Sequence, residues 1–283
     1  AASQDGQVQI FFEGVLYNHT ELIRIFDISS SSSHHMSDAE ILLHAYRKAD
    51  ENCLLSLNGK YVLIVIDSNQ HRIIATSDRM GEWPLYYYDD NQVCLISNVL
   101  ATLRKNQRIN NRLNHQALMR YMAFGYIPST DTLFHQIQRL QNGCKLVLEG
   151  GKTSVRRYWT LSFKNNPIDE KQAVCRLSAL IENAVDIRIN DCKKPGIFLS
   201  GGLDSSTIAA VAAQKTSQLH CFSYSCSETS YDEVNYARAM ADALGASTRQ
   251  LRSLKKKSTA SRLSFPIWMN PSAISALIKP PFW

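Results

Sequence analysis

Seven residues, Ser200-Gly201-Gly202-Leu203-Asp204-Ser205-Ser206, lie between an apolar run ending at Leu199 and a helix-forming stretch that reaches Ala213. A strand that turns through glycines into a helix gathers free backbone N–H groups and the positive end of a helix dipole at one point. Such a point binds anions, phosphate most naturally. Gly201 and Gly202 let the backbone approach a ligand with no Cβ in the way, and the hydroxyls of Ser200, Ser205 and Ser206 add donors. Asp204 narrows the chemistry. A carboxylate in a phosphate cradle is repelled by its ligand unless a cation lies between them, so Asp204 is read as a ligand of Mg²⁺ that bridges acid and phosphate. The lysine of a GxxxxGK(S/T) loop is missing, which argues against γ-phosphoryl transfer.

The elements that must hold this loop are legible around it. Gly196 to Leu199 reads as a strand and Asp204 to Ala213 as a helix, with Leu219 to Ser225 as a second strand. Ser230-Tyr231-Asp232-Glu233 has capping-box spacing and opens a helix with Ala237, Met240, Ala241 and Leu244 on one face, closed by Gly245. Strand, helix, strand, helix predicts a parallel α/β layer. Upstream, Ala173, Leu177, Leu180, Ile181 and Ala184 form the apolar stripe of an amphipathic helix from Glu170.

The first half has a different rhythm. Tyr61 to Ile66, the turn Asp67-Ser68-Asn69-Gln70 and Arg72 to Thr76 read as a buried hairpin, and Val93 to Ser97 and Lys145 to Leu148 as further strands. Ser37-Asp38-Ala39-Glu40 is a capping box that leads into Ile41, Leu42, Ala45 and Tyr46. Leu161 to Asp169, with Asn165, Asn166 and Pro167, breaks the pattern and marks a domain boundary.

Bulk properties remove other classes. The chain has 283 residues, 45% hydrophobic and 20% charged, with net charge +6, and no apolar run long enough to span a bilayer. Its first residues carry no basic region followed by an apolar core, so no secretion signal is read and a cytoplasmic location is expected. Lys255, Lys256 and Lys257 read as a solvated run, and neither nucleic acid nor membrane is expected as a partner. Seven cysteines fall in no CxxC pair, so neither a disulfide framework nor a zinc site is expected. His34 and His35 follow five serines with no acid or thiol at ligand spacing and read as loop. Trp83 and Tyr86-Tyr87-Tyr88 read as core and cross-strand packing.

The segment SGGLDSS resembles the pyrophosphate loop of the ATP pyrophosphatases, and in particular of the asparagine synthetase family. Four more segments agree in collinear order: FFEGVLYNHTEL and SDAEILLHAY resemble that family's NGEIYNHxEL segment and next helix. SDRMGEWPLYYY is similar to its ARDRxGxxPLYY strand pair, and residues 125–159 to its interdomain junction. The implied fold is an α+β glutamine-amidotransferase-like domain over 1–160, with the stacked antiparallel sheets and helices of the Ntn-hydrolase type. An α/β parallel-sheet PP-loop domain follows over 165–250, both domains incomplete, and then an irregular tail over 251–283. The implied reaction is ATP-dependent amidation of aspartate to asparagine, with AMP and pyrophosphate as products and glutamine or ammonia as nitrogen source. ATP and Mg²⁺ would be held by Leu199, Ser200, Gly201, Gly202, Asp204, Ser205 and Ser206, with Ser223 and Tyr224 against adenine. A homodimer is the expected assembly.

Where the chain departs from that family, the resemblance implies lost chemistry. The N-terminal cysteine nucleophile and the glutamine-gripping arginine strand are not found, so no catalytic residue is assigned. Gly14 and Asp38 match glutamine-binding positions, but Glu13 stands where the family has an oxyanion-hole asparagine, and an ionised carboxylate repels an oxyanion. Asp38 reads equally well as a helix N-terminal carboxylate. No glutaminase activity is therefore expected. Two alternatives stay open: an amide-forming relative that uses no glutamine, of the β-lactam synthetase or lasso-peptide cyclase type, and a truncated, non-catalytic chain that binds nucleotide or a partner.

Overall fold

A computed structural model describes residues 1–28, 36–164, 167–190, 192, 194–225, 233–252 and 275–278. The chain forms two compact units that divide between Phe163 and Lys164, with Ser275–Ile278 belonging to the first.

The first unit is built on β1 (Val8–Leu16), β2 (Gly59–Asp67), β3 (Arg72–Ser77), β4 (Tyr86–Asp89), β5 (Cys94–Ser97), β6 (Gln138–Arg139), β7 (Cys144–Glu149), β8 (Lys152–Arg157) and β12 (Ser275–Ile278). They form two antiparallel sheets, in the orders β1-β2-β3-β7-β8 and β12-β5-β4-β6. The expected hairpin is β2–β3, in the register Val62↔Ser77 to Asp67↔Arg72.

Strand alternation explains the layers. Tyr61, Leu63 and Val65 point to one face of the larger sheet and pack with Ile41, Leu42, Ala45 and Tyr46 of α2 (Asp38–Ala49) and Leu22 of α1 (His19–Ile25). Val62 and Ile64, one residue out of phase, point to the other face and share a core with Cys94 and Ile96 of β5 and Leu146 and Leu148 of β7. On the far side of the smaller sheet, Val93 and Leu95 pack with Leu103 of α3 (Leu100–Leu103), Ile109, Phe134 and Ile137. β2 is consequently buried on both faces, which is why it reads as an unbroken apolar run.

The capping box at Ser37 is present: Glu40 N donates to Ser37 Oγ at 3.4 Å and Ser37 N donates to Glu40 Oε2 at 2.7 Å. At the other end of α2, Asp50 takes a positive φ of 53° and pairs with the buried guanidinium of Arg72, which also donates to Tyr46 Oη at 2.8 Å. Lys145, also buried, meets Glu51 at 2.8 Å. These ions tie the helix end to β3 and β7.

The second unit contains α5 (Glu170–Ile189), β9 (Gly196–Phe198), α6 (Leu203–Lys215), β10 (His220–Ser225), α7 (Val234–Ala243) and β11 (Ser247–Arg252). Its sheet, in the order β11-β10-β9, is parallel throughout. Val185, Leu199, Ala209, Ala212, Leu219, Cys221, Ala237 and Ala241 form its core, and Gly245 follows α7 in the left-handed region at φ +62°.

Three expectations need amendment. The α5 stripe is not a core face along its length, since Leu177 and Leu180 are 57% and 58% exposed and the buried residue is Val185. Periodicity says which residues share a face, whereas burial needs a partner, and the partner α6 is met through Ile181, Val185 and Ile189. Ser230-Tyr231-Asp232 lie outside the described residues, and Glu233 is the N-cap of α7 with no side-chain cap, not the N3 acceptor of a box. Within the segment read as an irregular tail, Ser275–Ile278 is a strand paired antiparallel with β5 from Ser275↔Ser97 to Ile278↔Cys94. Four residues are too few to show a period.

Candidate functional site

The glycine loop leaves β9 through Leu199, whose N–H donates to Phe222 O at 2.8 Å and whose side chain is buried in the core of the second unit. The carbonyl of Leu199 accepts from Ser223 Oγ at 2.8 Å. Ser223 is itself buried, so its hydroxyl proton is spent on fastening β10 to the loop. Tyr224, the next residue, is exposed beside it.

Beyond Leu199 the loop is knitted by its own serines. Ser205 Oγ donates to Gly202 O at 3.2 Å, lies 3.0 Å from Ser200 Oγ and accepts from Ser200 N at 3.3 Å. Gly202 N in turn donates to Ser200 Oγ at 3.2 Å. One arrangement of protons satisfies this set: Ser205 donates to Gly202 O and Ser200 donates to Ser205, leaving neither hydroxyl proton for a ligand. Backbone groups remain. Gly202 is the N-cap of α6 with no side chain to cap it, so the first-turn N–H groups of Leu203, Asp204 and Ser205 have no side-chain acceptor there. Ser206 N is already bonded within the helix, to Gly202 O at 3.0 Å, while Ser206 and Asp204 both occupy the first turn.

Gly201 is required by geometry. Its φ is +90°, and a Cβ built on it would lie 2.6 Å from Ala237 N and 2.6 Å from Tyr236 Cβ. The first turn of α7 therefore rests directly on the loop. The sequence places Ala237 on a core face of this helix and marks no role for Tyr236. The signal was the glycine itself, whose neighbour could not be read without the fold.

Asp204 is exposed and is the acid in the first turn of α6. The helix dipole favours a carboxylate at that position even without a metal. Among the described residues no cluster of three or more His, Cys, Asp or Glu forms a cage. Mg²⁺ held by Asp204 would complete its oxygen shell with phosphate and water, as Mg²⁺ commonly does. The cradle thus fits a pyrophosphate with Mg²⁺: uncapped N–H groups, Gly202 where the backbone is approached, and one accessible carboxylate.

In the first unit, Gly14 has φ +141°, and a Cβ there would lie 2.2 Å from Lys60 O and 2.6 Å from Tyr61 Cα. The close approach of β2 accounts for this glycine without a ligand. Asp38 is the first residue of α2, and its Oδ2 accepts from Leu16 N at 3.0 Å, which brings it to the end of β1 two residues from Gly14. Glu13 Oε2 accepts from Asn98 Nδ2 at 2.7 Å, while Asn98 Oδ1 is buried without a partner among the described residues. His34 and His35 lie outside the described residues. No described helix is long and apolar enough to cross a membrane.

The first unit is thus built of stacked antiparallel sheets, and the second of a parallel sheet with a glycine loop at a helix N-terminus. Residues 1–159 match the glutamine amidotransferase domain family and residues 176–269 the asparagine synthase family. A Methanocaldococcus jannaschii relative, provisionally named as a second glutamine-hydrolyzing asparagine synthetase, is 31% identical over 82% of this chain and 46% of its own length. Asparagine synthetase (glutamine-hydrolyzing) 1 of Bacillus subtilis is 28% identical over 86% of this chain and 38% of that protein. Amidase chyE of Penicillium rubens is 24% identical over 94% and 42%. This chain belongs to the asparagine synthetase family. It spans less than half the length of these relatives.

Proposed function

We propose that residues 199–206 hold the pyrophosphate of ATP together with Mg²⁺, in the service of an AMP-forming amidation of aspartate to asparagine in the cytoplasm. The observation that carries this reading is the uncapped N-terminus of α6 at Gly202, backed by Gly201 and presenting Asp204. Mg²⁺ would offset the charge of the phosphates and let Asp204 sit beside them. The protein's own part is to aim the N–H groups of Leu203, Asp204 and Ser205, with Ser223 fixing the strand beneath and exposed Tyr224 available to the base.

We further propose that nitrogen arrives as ammonia and not from glutamine. A carboxylate at Glu13, held by Asn98, stands where relatives would stabilise an oxyanion, and it adds negative charge at that point. A relative that closes an amide with an internal amine fits Glu13 equally well. Aspartate is the acceptor that family membership favours.

A second reading, nucleotide binding without catalysis, is favoured by the apolar surface around the loop: Phe198 and Leu203 are 81% and 84% exposed. Exchange of labelled pyrophosphate into ATP in the presence of aspartate separates the two. Exchange supports the ligase reading. Binding without exchange supports the second, and release of glutamate from glutamine would refute the reading of Glu13.

A further inference from the structure

We infer that the first unit carries a separate binding site for a small phosphate dianion, in a cavity between the turn after β3 and the end of β8. The cavity, of about 260 Å³, is lined by Arg79, Met80, Asn142, Arg157, Trp159 and Thr160 among others, and no acidic side chain lines it. Arg79 lies in a turn locked by Asp78, whose carboxylate accepts from the N–H groups of Met80, Glu82 and Trp83 at 3.1, 3.1 and 3.2 Å. With three donors already on it, the Asp78 carboxylate is directed at the turn. Arg79 Nη2 donates to Leu55 O and its Nε is buried out of reach of a ligand, so the Nη1 end of the guanidinium is what the side chain can offer to the cavity.

Arg157, the last residue of β8, lines the same cavity. Its neighbour Arg156 is paired with Glu149 at 3.1 Å, whereas no ion pair or hydrogen bond engages the Arg157 guanidinium among the described residues. Two guanidiniums facing one concavity repel each other until an anion lies between them. A phosphate carries a charge of about −1.5 to −2 near neutral pH, which matches two guanidiniums better than a single carboxylate does, and its oxygens suit their forked donors.

The remaining wall is rigid. Asn142 spends both ends of its amide, donating from Nδ2 to Met80 O at 2.5 Å and accepting from Arg139 Nη2 at 3.2 Å, and Trp159 N donates to Gly143 O at 3.0 Å. The floor is therefore set before a ligand arrives, and Trp159 reports on it.

The test uses the full chain, ¹⁵N-labelled, with inorganic phosphate titrated at constant ionic strength in chloride and without Mg²⁺. The signal is the indole N–H of Trp159, assigned through Trp159→Phe. A saturable shift is expected, weakened at least tenfold in Arg157→Ala, partly restored in Arg157→Lys and unchanged in Gly201→Ala, which disturbs only the second unit. A linear drift without saturation, an equal response in Arg157→Ala or an equal response to acetate would overturn the site. Loss in Gly201→Ala would also overturn it, by assigning the phosphate to the loop of the second unit.

Discussion

Replacing Gly201 with alanine is expected to damage both the stability of the second unit and its grip on pyrophosphate. At φ +90° a residue with a Cβ is strained by about 1–2 kcal/mol. The new Cβ would also lie 2.6 Å from Ala237 N and Tyr236 Cβ, and neither can yield without moving the start of α7. Overpacking of this kind costs about 1–3 kcal/mol, giving about 2–5 kcal/mol together. Relief must come from a shift of the loop or of α7, and either misaligns the N–H groups at the α6 terminus. Loss of one or two charge-assisted hydrogen bonds would weaken pyrophosphate binding by about 10- to 100-fold.

Gly202→Ala is the contrasting variant. Gly202 has an extended φ of −71°, and the nearest atom to an added Cβ is Ser200 Oγ at 3.3 Å, so stability should fall by less than about 1 kcal/mol. Its Cβ would still stand where the ligand approaches. Hydrogen exchange in peptides covering 196–215 and 234–246 reads the stability term, and calorimetric titration with Mg²⁺-pyrophosphate reads the binding term. A Gly201→Ala chain that exchanges and binds like the unaltered one, or two glycine variants alike in exchange, would show that α7 does not constrain the loop.

Four further outcomes concern α2, Arg72 and the cysteines. Ser37→Ala should cost about 1 kcal/mol by removing the cap of α2. The hydrogen bonds from Ser37 hold the Glu40 carboxyl below its ordinary value of 4.5, so its contribution is present above that pH and lost as pH falls through the lowered value. Glu40→Gln should flatten that part of the acid limb in urea titrations. Arg72→Ala should destabilise the first unit by about 1–3 kcal/mol, because Tyr46 loses a buried donor while Asp50, itself partly exposed, is left solvated, with chemical denaturation as the measure. Burial pushes the thiols of Cys53 and Cys94 up to about 12 from 9.0, so thiolate there is depleted about a thousandfold; iodoacetamide should label exposed Cys175 and Cys192 first and leave Cys53 and Cys94 until unfolding.

What the sequence showed and what it hid have one physical origin. Local signals were legible: the β2–β3 hairpin from its β-branched run and turn residues, the Ser37 box from its spacing, and the glycine loop from the strand before it and the helix after it. Signals that depend on a distant partner were not. Gly201 was read as making room for a ligand, yet its φ and the backbone of Ala237 already require a glycine. Gly14 likewise answers to the backbone of Lys60 and of Tyr61, its partner in the β1–β2 register and distant in sequence. Ser223 was placed against adenine, while its hydroxyl is bonded to Leu199 O. The exposed half of the α5 stripe shows the same limit, since amphipathicity predicts a face and not what covers it.

Whether the α6 terminus holds pyrophosphate is decided by calorimetric titration of pyrophosphate into the full chain, with and without Mg²⁺ and with Asp204→Asn in parallel. Binding should be saturable, require Mg²⁺ and fall at least tenfold in Asp204→Asn, with the fold retained. Binding that is indifferent to both Mg²⁺ and Asp204, or no binding by a folded chain, would contradict that role of the terminus.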